Sequence, residues 1–134
     1  MKSAIREYDG KNIDPKKLGQ KLEEYFKEEG YKTQVGEHPL GIVVQAKKGG
    51  ILRTLLAADR ALTITITGDP SKVTVRMGVG KWLQDLGVAA LEGFLLTPLL
   101  FFVDIPESLW SFEIEKQVWN YIESLISMGD LAAA

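Results

Sequence analysis

Two rhythms of apolar residues run along this chain. Between Pro15 and Glu29, Leu18, Leu22, Tyr25 and Phe26 recur at i, i+4, i+7 and i+8 among Lys and Glu. That spacing lays one apolar stripe on a helix and predicts a helix over 15–29. Asp14 stands where an N-cap accepts from free helix N–H groups, Pro15 suits the first helical position, and Gly30 stands where helices end. Elsewhere the period is two. Ala4 to Tyr8 alternates weakly, and Tyr31 to Val35 sets Tyr31, Thr33 and Val35 on one side. Leu40 to Lys47 sets Ile42, Val44 and Ala46 against Val43, Gln45 and Lys47. Ala61 to Thr67 points Leu62, Ile64 and Ile66 inward and Thr63, Thr65 and Thr67 outward. Lys72 to Val79 points Val73, Val75, Met77 and Val79 inward, with Thr74 and Arg76 outward. Gly68-Asp69-Pro70-Ser71 supplies the turn that makes these last two strands an antiparallel hairpin. Ile51 to Ala58, after the break at Gly49-Gly50, reads as a short helix. A last helix is predicted from Pro106 to Ser127, with Ile114, Val118, Tyr121, Ile122 and Leu125 on one face and Gly129 as its stop.

The predicted order is strand, helix, four strands, apolar segment, helix. It describes an α+β domain: an antiparallel sheet of about five strands with helices packed on one face, spanning 1–129 and followed by a tail over 130–134. This order is similar to the strand–helix–four-strand–helix unit of TATA-binding-protein-like and helix-grip folds, a likeness that does not fix function. The stretch Lys48-Gly49-Gly50-Ile51-Leu52-Arg53-Thr54, followed by Arg60-Ala61-Leu62-Thr63, resembles an uncharacterised family of small prokaryotic domains sometimes joined to zinc ribbons. This chain carries no zinc ribbon. The resemblance implies no known activity and no site residues.

One segment exceeds what such a domain needs. Residues 86–103 read LGVAALEGFLLTPLLFFV, with Glu92 as the sole charge. Trp82 and Trp110 flank it as interfacial aromatics would, but Glu92, Pro98 and two glycines argue against a membrane span. Leu83, Leu86, Ala90, Phe94 and Leu91 form a helical stripe that one core face can absorb, with Leu99 to Val103 as a connector. Val88, Leu95, Leu96, Leu99, Leu100, Phe101 and Phe102 then remain, and they cannot all point inward from one helix and one loop. Leu95, Leu96, Leu99, Leu100, Phe101 and Phe102 are accordingly the candidate interaction surface, since a contiguous apolar patch calls for a partner. A buried Glu92 would need a cationic partner, for which Lys81 and Arg53 are the candidates.

Composition narrows the chemistry. The chain has 134 residues, no cysteine and one histidine, His38, in Gly36-Glu37-His38-Pro39, which reads as a turn. Thiolate chemistry, disulfides and a zinc site drop out, and no cofactor is expected. No Gly-x-Ser-x-Gly motif is present, and Gly78-Val79-Gly80-Lys81 lacks the remaining residues of a Walker loop or dinucleotide fingerprint, so it reads as a strand-to-helix turn. No catalytic constellation emerges, and a non-enzyme is expected. The net charge of −2 divides unevenly: 47–81 hold seven basic and two acidic residues, whereas 82–134 hold one basic and eight acidic. Lys47, Lys48, Arg53 and Lys81 are the candidate anion contacts. Nucleic acid is not expected, because the chain is acidic overall and offers no aromatic stacking platform on the outward strand positions. The expected partner is a second copy or another protein. The alternatives are an anionic membrane surface or a small apolar ligand held between sheet and C-terminal helix. With no secretory leader, a cytoplasmic location is expected, with membrane association left open.

Overall fold

In a computed structural model the chain is described over residues 3–47, 60–83, 87–105 and 112–133. The elements are β1 (Ser3–Asp9), α1 (Pro15–Glu28), β2 (Lys32–His38), β3 (Gly41–Lys47), β4 (Arg60–Asp69), β5 (Lys72–Lys81), α2 (Val88–Leu96), α3 (Pro98–Phe101), β6 (Phe102–Val103) and α4 (Phe112–Met128). The expected short helix over 51–58 and the expected start of the last helix at Pro106 lie outside the described residues. The α+β class and the antiparallel sheet are as the alternation predicts. The strands run β1-β5-β4-β3-β2, with β6 added beside the end of β5. β2–β3 and β4–β5 are hairpins, β3 and β4 are antiparallel neighbours, and α1 carries the chain from one sheet edge to the other.

Register explains which side chains share a face. Val44 opposes Ile64, and Ile64 opposes Met77, so the residues called inward from alternation line one face together. On that face lie α1, through Leu18, Leu22 and Phe26, and α4, through Val118, Trp119, Ile122 and Leu125, in one continuous core. The helices also meet each other, since the rings of Tyr25 and Tyr121 stack at 4.6 Å. Arg6 of β1 reaches Glu123 of α4 at 2.7 Å and lies over the Trp119 ring. Half-exposed as it is, that ion pair adds at most about 1 kcal/mol.

Local signals set the helix ends. Asp14 accepts from the Lys16 N–H at 2.9 Å. Past α1, Gly30 adopts φ +88, the Gly30 N–H donates to Lys27 O, and the Tyr31 N–H donates to Phe26 O. This is a Schellman stop, and the Phe26 and Tyr31 rings close it edge to face at 5.1 Å. Gly129, at φ +75, ends α4 with the same two bonds, to Ile126 O and Leu125 O. Beyond it the expected tail is docked instead. Leu131 belongs to the core, Ala132 bridges Ile13, and Lys17 Nζ donates to Ala132 O at 2.7 Å. Leu131 in the core, with its carbonyl accepting from the Asp14 N–H at 2.7 Å, is reason enough for the folded unit to extend past 129.

All four tyrosines carry pKa values raised above 10.0, by burial first. The Glu123 carboxylate adds to the rise at Tyr8, Glu29 at Tyr25 and Glu24 at Tyr121. A raised folded pKa contributes stability that is complete below the ordinary tyrosine range and is lost as pH rises through the folded values. Phenolate absorbance should therefore appear at higher pH in the folded protein than in urea, and unfolding should follow the titration upward. Coincidence of the two titrations would contradict this burial.

Candidate functional site

The second face of the sheet is where expectation and structure part. Alternation points Thr63 and Thr65 outward and sets Val43 and Gln45 on the side opposite Ile42 and Val44, yet all four are buried. The apolar segment covers them. The amphipathic helices do share one face, but α2 lies on the other, so the helices are not all on one side. Leu91 and Phe94 of α2 and Phe102 of β6 cluster with Val43. The surplus apolar residues are thus partly consumed by a sheet face that sequence alternation had treated as wet.

Glycines make that docking possible. A methyl at Gly36 of β2 would overlap the Leu91 side chain, and one at Gly80 of β5 would stand 2.9 Å from the Phe94 ring. The Gly78–Lys81 stretch is therefore strand, not a turn, with Gly80 a seat for an aromatic ring. Gly36 and His38 likewise belong to β2 rather than to a turn.

A polar network lies beside this apolar seat. Gln45, fully buried, donates from Nε2 to Thr63 Oγ1 at 3.1 Å and to Lys81 O at 2.8 Å. Its Oε1 accepts from Gln34 Nε2 at 2.7 Å and from the Leu83 N–H at 3.2 Å. Thr63 donates its hydroxyl proton to Ala61 O. Each hydrogen-bonding group of the Gln45 side chain is engaged, as a buried amide requires. The network joins β2, β3 and β4 to the chain leaving β5.

Glu92 is half-exposed rather than buried, and its ion-pair partner among the described residues is His38, not Lys81. His38 Nε2 stands 3.2 Å from Glu92 Oε1, and Arg53 lies outside the described residues. The Leu40 N–H donates to His38 Nδ1 at 3.1 Å, which leaves the neutral ring its proton on Nε2 to donate to Glu92. Sequence reading missed His38 because it placed the residue in a turn rather than at the end of a strand beneath α2.

The candidate interaction residues divide. Phe102 is buried, and Phe101 and Leu95 are half-buried. Phe101 packs on Phe94 at 5.1 Å and over Gly93, and Leu95 reaches Gly41. Leu96 is 62% exposed, Leu99 58% and Leu100 82%, and Val88, which the candidate set omits, is 64% exposed. These four form an apolar ledge along α2 and α3. The helix breaks at Thr97 because a residue before proline avoids the helical region. Among the described residues no helix is long and apolar enough to cross a membrane.

The candidate anion contacts also divide. Lys48 and Arg53 lie outside the described residues. Lys47 and Lys81 stand at one end of the sheet, where Lys32 opposes Lys47 and Arg60 opposes Lys81. Lys32 and Lys47 both lie within 6 Å of the Trp82 ring, at 5.8 and 5.6 Å. The ring quadrupole offsets part of the repulsion between opposed lysines. Leu95 meets Gly41 at the other end of β3, about 20 Å away by strand rise. The basic end and the tip of the apolar ledge are therefore separate surfaces.

Comparison of the chain with protein-family models, curated proteins and solved structures returns no match. The family resemblance stated above thus rests on the quoted residues alone.

Seating of α2 on glycine is testable. Gly36→Val should destabilise the fold by about 1–3 kcal/mol in urea unfolding, the usual overpacking range, through collision with Leu91. Gly87→Ser, at the uncapped start of α2 with open space around it, should leave stability unchanged or raise it. Equal behaviour of the two variants would contradict a docked α2.

Proposed function

We propose that this chain is a non-catalytic interaction module that buries its α2–α3 ledge against a protein surface, its own or another's. The observation that carries the reading is the exposure of Leu96 and Leu100 on a layer whose opposite side is already packed on the sheet. A helix that is apolar but for Glu92 has more apolar surface than one contact can cover, and this one is packed on one side only. Isolated exposed leucines are ordinary, but Val88, Leu96, Leu99 and Leu100 fall within thirteen consecutive residues of one layer. Leu100→Asp should keep the far-ultraviolet circular dichroism and urea midpoint of the parent while abolishing association seen by light scattering or partner capture. Phe101→Asp should instead lower the midpoint, because Phe101 packs on Phe94. Unfolding by Leu100→Asp would mean that Leu100 is core and would remove the reading.

A second reading draws on the basic end. Lys32, Lys47, Arg60 and Lys81 stand on the ends of four neighbouring strands. Among the described residues Lys32, Arg60 and Lys81 have no carboxylate within ion-pair distance. Such a cluster suits phosphate-bearing lipid headgroups, each nearby cation adding about 1 kcal/mol at an anionic surface. Co-sedimentation with phosphatidylserine vesicles but not phosphatidylcholine vesicles, weakened by Lys81→Gln, is the expected result. Equal recovery with both, or with neither, would end it.

A further inference from the structure

The ledge adjoins a strand edge that no described strand covers, and together they define a partner. β2 is a terminal strand of the sheet, and no described strand pairs with its outer side. Natural edges are usually blunted by charge, proline or a bulge. The other terminal strand, β1, carries Arg6, Glu7 and Asp9 and is followed along β5 by β6. β2 has Lys32 and Glu37 near its ends, but Thr33-Gln34-Val35-Gly36 between them has no such device. Above this edge, Val88, Glu92 and Leu96 follow one another at i, i+4 and i+8 and share one side of α2. Glu92 reaches His38, a residue of β2, so that side of the helix faces the open edge.

We infer that the partner is a second copy of this chain, joined antiparallel through β2 so that two sheets become one. The inference rests on the α2–α3 ledge being a contact surface, as proposed above. A two-fold axis perpendicular to the sheet keeps both helical layers continuous. Full overlap of the seven residues then puts Val35 opposite Val35 of the second copy and Lys32 opposite its His38. Directly opposed residues have Cβ atoms about 5 Å apart, within the reach of a lysine side chain. His38 already holds Glu92 at 3.2 Å, so each Lys32 ammonium meets the Glu92 carboxylate of the other copy. Val88 precedes Leu91, which sits over Gly36, by one helical turn, and so lies close to the axis beside its own symmetry mate. The contact is self-complementary: backbone edge in the middle, one apolar residue beside it, and an ion pair at each end.

Charge reversal separates this arrangement from any other. Sedimentation equilibrium over a wide concentration range should find the parent chain dimeric. Lys32→Glu places two carboxylates together at both ends of the contact, and Glu92→Lys places two ammonium groups there. Each variant alone should dimerise about ten-fold more weakly or worse. An equimolar mixture should recover the dimer. At one end the carboxylate introduced by the first substitution then meets the ammonium introduced by the second, while the native pair forms at the other end. Both sites are on the surface, and circular dichroism matching the parent checks the fold; Lys32→Gln mixed with Glu92→Gln, which forms the native pair at one end and no pair at the other, is the neutral control and should recover less than the charge-reversed mixture. A parent chain that stays monomeric overturns the second copy as partner, while Leu100→Asp still tests the ledge against other proteins. A dimer insensitive to both reversals, or a mixture without recovery, overturns the β2 edge but leaves self-association through the ledge standing.

Discussion

Gln45 carries the constraint on which the second layer depends. An amide buried on a sheet face costs about 1–3 kcal/mol for each group left unsatisfied, so the side chain must find several partners at once. It finds them on both neighbouring strands and, through Lys81 O and the Leu83 N–H, on the chain leaving β5. Binding those last two groups ties the exit of β5, at Lys81 and Leu83, to the second face. The next described residues, from Gly87, enter α2 on that same face. The polar network holds the exit of β5 at the second face, and the apolar contacts of Leu91 and Phe94 hold α2 there.

From that placement follows an unequal sandwich. The first face receives two amphipathic helices whose stripes match its valines and isoleucines, giving a large continuous core. The second receives a short helix whose one charge is Glu92, over a floor of one valine, buried threonines and glycines. Such a floor accepts an aromatic ring closely but offers little area. The layer above it can bury one side and no more.

Most of the first face was legible because its physics is periodic. Leu18, Leu22, Val118 and Ile122 repeat at helical spacing, Ile64 and Ile66 at strand spacing, and Asp14, Gly30 and Gly129 stand where helices begin and end. The second face was not legible because its burial signals have no hydrophobicity. Gln45 and Thr63 look like solvent positions until a helix lies over them, and Gly36 and Gly80 look like turn residues when their use is the absence of a Cβ. One clue was available. Val43, an aliphatic residue on the supposedly wet side of β3, and the apolar surplus of 86–103 are two halves of one contact. His38 escaped for a related reason, since a glycine and a proline nearby suggested a turn where only Pro39-Leu40 makes one.

The exposure of the ledge is a consequence of this packing rather than a defect in it. Three aromatic residues of the segment go inward: Phe94 onto Gly80, Phe101 onto Gly93 and Phe94, and Phe102 into the strand pair with β5. To bring Phe101 and Phe102 back to the sheet so soon after Leu96, the chain must break, and Thr97-Pro98 breaks it. A broken helix cannot keep one face inward through the bend. When the phenylalanines are turned toward the sheet, Leu96, Leu99 and Leu100 are turned away from it. None of the three belongs to the packed cluster on Val43. Leucine at all three makes the outer surface of the bend apolar, while the phenylalanines beside it carry the packing on the sheet.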